Sequence, residues 1–578
     1  MTPKQIKLYV LCLLSTIVLF DGANAFPKGV NGGAYCLACT TFVSLNQQFA
    51  EYHNTSFEEA FHKICSFFPP PLSNGCSVLG HFFLPVVLKY QTSSPDFICQ
   101  AIHQCYTEKH HVQCRAYPNH GNDEQFRHEV KRARRFARER LHIDEKADTL
   151  SFDVCTLPVV KDICERIRKI FSTNKPFFDV DDDLFSSYEE LRGYAWRGKD
   201  CNDLWSTYYP GRKPIEDDII FDSNCNGIHG FNLFERRTWE DLLCANTTSQ
   251  GTIALGDSVT AHFRVPPEWV TATELRHEIF RHFWFVLTNQ FDWPMMSTFT
   301  GYYEKSDWPE LISGPIDSVY KHVVERNLCN HRDYQNIGKN GADSFAMNDI
   351  LVKALKRNTT TDKPVLLFYA LVGNDVCSND PVVTHMTTVE QMKDNALKTM
   401  ETLDKILPSG SHVTILGLAD GRVLYDSMHA RIHPIGKLRK DVTYAQLYDF
   451  LNCLEISPCA GWLNTNATVR NATTKHAEAL SGVLQDIVRT HTYKNFDLAF
   501  IPNFFKESIK MWKGMGKGHE TWQLIEPVDG FHPNQNAMAL SAKVLVKALG
   551  KIAPHFLGEI NPHNAKIRQL FGNQGGYR

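Results

Sequence analysis

The sequence predicts an α/β chain in which a parallel sheet with flanking helices follows a small all-α, disulfide-rich module. Three observations carry this reading. Short apolar runs at residues 252–256, 364–372, 413–418 and 496–501 have the length and continuity of strands buried on both faces. Helical runs at residues 389–407 and 476–488 alternate with them, and such alternation calls for a parallel sheet covered by helices. Ahead of these, residues 36–105 hold six cysteines among segments, such as 42–49 and 57–68, whose apolar residues recur at three and four.

The chain has 578 residues, room for three or four units at about 150 residues each. With 43% hydrophobic and 22% charged residues it falls in the ordinary globular range. A net charge of −3 gives no support to a nucleic-acid binder working through a globally basic surface.

The amino terminus reads as a secretory signal over residues 1–25. Lys4 and Lys7 precede an apolar stretch from Leu8 to Phe20, and Ala23-Asn24-Ala25 supplies the small-x-small cleavage pattern. The stretch is too short for a permanent membrane anchor. Cys12 leaves with it, and an even number of the 17 cysteines remains, consistent with full pairing in an oxidising compartment. Sequons at Asn54, Asn246, Asn358, Asn466 and Asn471 agree with a secreted glycoprotein.

The front module needs cross-links because a domain this small buries little surface. Cys36, Cys39, Cys65, Cys76, Cys99 and Cys105 allow fifteen connectivities, and spacing does not choose among them. No second Cys-x-x-Cys or His pair completes a zinc site with Cys36 and Cys39. The opening Cys-x-x-Cys, the middle pair and the closing Cys99-x5-Cys105 resemble a saposin B-type domain, spanning residues 33–118. That resemblance implies the nested pairs Cys36–Cys105, Cys39–Cys99 and Cys65–Cys76, and helices able to lay an apolar face on lipid. The bulky residues at 82–88 serve either that face or the module's own core. Residues 119–150 form a junction in which 127–140 carries seven Lys or Arg against Glu129 and Glu139. Such a run is a solvated helix face, a protease-sensitive connector or an attractor of anionic head groups.

Residues 151–245 gather acids. Asp179, Asp181 and Asp183 alternate, Asp200, Asn202 and Asp203 follow, and then come Asp218, Asp222, Asn224 and Asn226 with Gly227 behind them. Oxygen ligands at alternating positions, with glycine sixth and a backbone carbonyl seventh (Ile228), follow the logic of a calcium loop. Position twelve is Leu233, so the expected carboxylate must come from Glu235 or Glu240. We expect structural Ca2+ here, and local disulfides Cys155–Cys164 and Cys201–Cys225.

The chemistry begins where the strand at 252–256 runs into Asp257-Ser258, since ligands bind beyond the carboxyl ends of strands in open α/β sheets. Asn336-Ile337-Gly338-Lys339-Asn340-Gly341 reads as a loop, Gly373-Asn374-Asp375 ends a second strand, and Asp529-Gly530-Phe531-His532 lies near the carboxyl terminus. These four blocks, in this order, resemble the GDSL or SGNH hydrolases, over residues 246–578. The resemblance implies a serine esterase: Ser258 the nucleophile, His532 its base, Asp529 the orienting carboxylate. It also implies an oxyanion hole from the Ser258 and Gly341 N–H groups and the Asn374 amide. Asp257 and Asp375 read as structural hydrogen-bonders, and His262, His429 and His433 as surface or core groups.

Taken whole, the order of signal, saposin-like module, basic junction, acidic region and hydrolase resembles the acyloxyacyl hydrolases. That implies a secreted and lysosomal lipase that removes the secondary acyl esters of lipid A, detoxifying bacterial lipopolysaccharide presented from a membrane or micelle. It also implies two disulfide-linked subunits cut from one precursor. Cys114, left over from the six-cysteine module, pairs beyond the junction or stays free, and Cys453 or Cys459 is its expected partner. The alternatives are a broader phospholipase or lipid esterase, and a non-catalytic lipid-binding or transfer protein.

Overall fold

A computed structural model describes residues 29–70, 72–117, 123–141 and 172–578; the expected signal, residues 142–150 of the junction and the pair Cys155 and Cys164 lie outside them. The front module is built from helices α1 (Gly33–His53), α2 (Phe57–Phe67), α3 (Leu72–Val87) and α4 (Pro95–Ala101). Local sequence sets their ends. Asn54 stops α1 in the left-handed conformation, Ser56 and Glu59 close a capping box on α2, and Ser94 caps α4 with Pro95 in its first turn. Disulfides join Cys36 to Cys105, Cys39 to Cys99 and Cys65 to Cys76. Leu84, Val86 and Val87 are buried, so these three of the bulky residues fill the core.

The basic run lies on helix α5 (Asp123–Leu141). Phe126, Val130 and Ala133 bury a stripe against Phe97 and Ala101 of α4. Arg134 turns inward and donates to the carbonyls of Gln100 (2.8 Å) and Cys105 (3.0 Å), while Arg127, Lys131, Arg132, Arg135, Arg138 and Arg140 face out.

The sheet has five parallel strands, β1 (Gly251–Gly256), β2 (Tyr334–Gly338), β3 (Val365–Ala370), β4 (Ser411–Leu416) and β5 (Phe496–Ile501), in the order β2-β1-β3-β4-β5. Every residue of β1 and β3 is buried, as layers on both faces demand. One face lies under α6 (Val389–Ile406) and α8 (Ala467–Thr490), through residues such as Met392, Met400, Leu480 and Leu484. The other lies under α10 (Gln535–Ile552), through Met538, Leu545 and Leu549. Between them in sequence come α7 (Tyr444–Cys453) and α9 (Phe504–Gly514).

One expectation is corrected. Residues 336–338, read as loop, belong to edge strand β2, which pairs Ile253 with Gln335 and Gly256 with Gly338. The strand carries few apolar side chains because its polar ones are partnered. Gln335 accepts from Arg197 (3.1 Å), and the Asn336 amide donates to the Thr260 carbonyl and Thr300 Oγ1. Buried polar groups paired in this way carry no hydrophobic signal.

The module is fused to the hydrolase region rather than tethered to it. Leu45, Phe49, Ile64 and Phe67 share a core with Trp269, Phe280, Trp293 and Trp308. Val43 and Ile98 share another with Tyr444, Tyr448 and Leu451 of α7. Cys114 is bonded to Cys453 at the end of α7. Cys201–Cys225, Cys244–Cys329 and Cys377–Cys459 complete the disulfides of the described residues, among which no helix is long and apolar enough to cross a membrane.

Candidate active site

The site forms beyond the carboxyl ends of β1 and β3. Gly256 ends β1 where a Cβ would collide with the Ala370 carbonyl, so the strand packs only as glycine. Asp257 caps the single helical turn Ser258–Ala261, accepting the Val259 N–H (3.0 Å) on one oxygen and the Val372 N–H (2.8 Å) on the other. Burial pushes its carboxyl up to about 6, against the pull of these donors. Its oxygens are spent on backbone, and it aims Ser258 across the end of β3.

The loop before α10 brings the other partners. Asp529 Oδ1 accepts the N–H groups of Phe531 (2.8 Å) and His532 (3.1 Å), curling the loop so that its Oδ2 meets His532 Nδ1 at 2.6 Å. His532 Nε2 then lies 2.8 Å from Ser258 Oγ. The imidazole packs against Phe263, with ring centroids 4.8 Å apart. A carbonyl can only accept, so the loop is clamped by three donors: His433 Nε2 to Val528 (2.7 Å), Tyr444 to Pro527 (2.5 Å) and Tyr448 to Gly530 (2.7 Å). Gly530 sits at φ +62° where a side chain would strike both tyrosines. Beneath the loop, Glu526 is fully buried and its carboxyl is pushed up to about 8, with the Arg264 guanidinium 3.6 Å away opposing the shift.

Around Ser258 are groups able to meet a negative oxygen. Among the described residues no acceptor takes the Ser258 N–H. The Asn374 amide donates one hydrogen to the Ala342 carbonyl (2.9 Å) and keeps its second. Gly341, at φ +73°, immediately precedes that carbonyl, and a side chain there would meet no atom within 4 Å of its Cβ. Asp375 is held by Ser344, its Oδ1 accepting the Ser344 hydroxyl at 2.6 Å; burial pushes its carboxyl up to about 6. His262 and His433 are buried and His429 is exposed.

An apolar cleft opens beside Ser258, His532 and Asn374, walled by Val259, Leu424, Trp462, Phe505, Ile509, Leu524 and Phe531. An apolar slot ending at a hydroxyl, an imidazole and a carboxylate in hydrogen-bonded series is what acyl transfer on a fatty ester needs. Its walls, and the clamp by His433, Tyr444 and Tyr448, were invisible in the sequence, because they converge from separate segments.

Fold and site together define an ester-hydrolysing enzyme, and comparison with known proteins agrees: the family described as GDSL-like Lipase/Acylhydrolase matches residues 253–545, and that described as Saposin-like domain matches residues 35–165. The chain is 40% identical to the acyloxyacyl hydrolase of Mus musculus, over 99% of each chain. It is 39% identical to that of Homo sapiens, over 95% of this chain and 94% of the relative, and 39% identical to that of Oryctolagus cuniculus, over 94% and 93%. The chain belongs to the acyloxyacyl hydrolase family.

The acidic region folds into two loops with one hydrogen-bond pattern. In the first, Asp179 accepts the N–H groups of Asp183 and Leu184, and Asp183 that of Phe185. In the second, Asp222 accepts those of Asn226 and Gly227, and Asn226 that of Ile228. The sixth residue has positive φ in both, Leu184 at 73° and Gly227 at 78°. Asp200 and the first loop share a cluster, as do Asp179, Asp181 and Asp203; Asn202 donates its N–H to Asp200. Glu240, not the exposed Glu235, closes the second loop, accepting from the amides of Asn224 and Asn226. Buried oxygens of Asp181, Asp183, Asp200 and Asp218 have no hydrogen-bond partner, and burial with neighbouring carboxylates pushes Asp183 up to about 8. Unpartnered carboxylate oxygens crowded together fit a hard cation. The five sequon asparagines are all exposed.

Proposed function

We propose that this chain hydrolyses the secondary, acyloxyacyl fatty esters of lipid A in bacterial lipopolysaccharide, as a secreted and lysosomal glycoprotein of two disulfide-linked subunits. The observation that carries the reading is the 2.8 Å contact of His532 Nε2 with Ser258 Oγ beside an apolar cleft. Ser258 Oγ attacks the ester carbonyl as its proton passes to His532, and the Asp529 carboxylate holds the imidazolium at Nδ1. The N–H groups of Ser258 and Gly341 and the free hydrogen of Asn374 meet the oxyanion. His532 then protonates the departing hydroxyl, which stays on the glycolipid, and activates the water that frees the fatty acid. An acyloxyacyl group is an ester between two fatty chains, so an apolar slot at the serine suits it better than a polar one.

The lipid-binding module supports a substrate presented from a membrane or micelle. The Cys114–Cys453 bond supports the subunit reading, because it would hold the two parts together after a cut in the junction. The test is fatty-acid release from purified lipopolysaccharide. We expect release by wild type and a loss of several orders of magnitude in Ser258→Ala; release from phospholipid alone would instead favour a phospholipase. Asn374→Ala is expected to lower kcat about 10²–10³-fold with little change in KM, measured on a soluble ester. An unchanged kcat would remove Asn374 from the oxyanion hole.

Asp179, Asp181, Asp183 and Asp200 would hold one Ca2+, and Asp222, Asn224, Asn226 and the Ile228 carbonyl another, with Asp218 and Glu240 close by. The ions supply positive charge that lets these loops stay folded. Removing an ion present at a thousandfold excess over its Kd costs about 4 kcal/mol per site, so chelation should lower the melting temperature by several degrees, restored by Ca2+. A melting temperature indifferent to chelator would sink the calcium reading.

A further inference from the structure

We propose that His412, Asp497 and His555 form a site for a divalent transition metal such as Zn2+ at the edge of the sheet opposite Ser258. The three come from separate elements. His412 is the second residue of β4, Asp497 the second of β5, and the two strands set them directly opposite each other. His555 stands on the turn Pro554–Leu557, just past the end of α10.

Their ligand atoms converge. Asp497 Oδ2 lies 3.3 Å from His555 Nε2 and 3.8 Å from His412 Nδ1, and the three atoms fall within 4.8 Å of one another. Two ligands about 2.0–2.1 Å from a zinc ion at tetrahedral angles stand about 3.3 Å apart, so one edge of the tetrahedron is already formed and the second needs a small ring rotation. His412 is the telling member. Its Nδ1 is buried and has no hydrogen-bond partner, so its bonding capacity is unspent. Its ring lies flat on Phe556, centroids 4.3 Å apart and planes within 17°, which confines Nδ1 to small swings. Two imidazoles and one carboxylate are a softer set than the all-oxygen acidic loops, and they favour zinc over calcium. Asp497 and His555 are largely exposed and border a groove that also carries Gln485 and Arg489, leaving the fourth position to water or a small ligand. A bound ion would pin the far end of α10, the helix that begins three residues after His532, to the sheet.

The experiment titrates the full chain with Zn2+ by calorimetry in the presence of excess Ca2+, which occupies the acidic loops. Wild type is expected to take up one equivalent at micromolar or tighter Kd, to give visible Co2+ bands of a four-coordinate site, and to melt higher with Zn2+. His555→Gln, at an exposed position that should not disturb folding, is expected to lose all three responses, and His412→Gln likewise. Wild type without a micromolar Zn2+ equivalent, or a folded His555→Gln that binds as wild type does, would overturn the site whether or not His412→Gln folds.

Discussion

Ser258→Ala is expected to slow ester hydrolysis by about 10⁶-fold, the loss a serine hydrolase shows when its nucleophile is removed. The hydroxyl is placed to attack: His532 Nε2 is 2.8 Å from it, and the Asp257 carboxylate beside it is engaged by the Val259 and Val372 N–H groups. What survives is the contribution of the oxyanion donors and the cleft, which the substitution leaves standing. The measurement is single-turnover release of fatty acid, paired with a melting curve to show that the variant is folded. Turnover within tenfold of wild type in a folded variant would end the acyl-enzyme account.

Asp529→Asn is expected to cost about 10⁴-fold in kcat with KM nearly unchanged, as in the serine-protease triad where the same exchange reverses the imidazole tautomer. Here the geometry makes the substitution doubly awkward. Oδ1 accepts two backbone N–H groups and Oδ2 faces His532 Nδ1, so all three known partners want an acceptor. An asparagine can give its oxygen to the backbone only by turning its NH2 on Nδ1. His532 must then carry its proton on Nε2, pointing at the serine it should deprotonate. Asp529→Ala, which imposes no tautomer, should lose less than Asp529→Asn if this account is right.

The parts of the fold that sequence made legible are those with a one-dimensional signature. Strands β1, β3, β4 and β5 were readable because burial on two faces forces an apolar run. Strand β2 was not, since Gln335 and Asn336 are buried through hydrogen bonds to groups from residues 197, 260 and 300. Ser258 and the Asp529–His532 pair were readable because a strand end and a tight loop hold them within a few residues. The basic run was legible as a solvated helix face but not its buried stripe: Phe126, Val130, Ala133 and Ala137 keep helical spacing, but charge dominates the segment. Pairings such as Cys244–Cys329 and Cys377–Cys459 depend on distances that chain spacing does not encode. The same holds for Glu240, chosen over Glu235 by the helical turn that follows Thr238.

Helix α7 has two clients. Its Tyr444 and Tyr448 grip the carbonyls that shape the His532 loop, while its opposite end is bolted through Cys453 to the front module and packed against α1. An isolated hydrolase half would therefore be more than an enzyme deprived of its saposin-like module. The loop that carries its base would be gripped by a helix stripped of a whole supporting wall, and catalysis on even a small water-soluble ester should suffer. The front module and the catalytic loop in this molecule are mechanically one device.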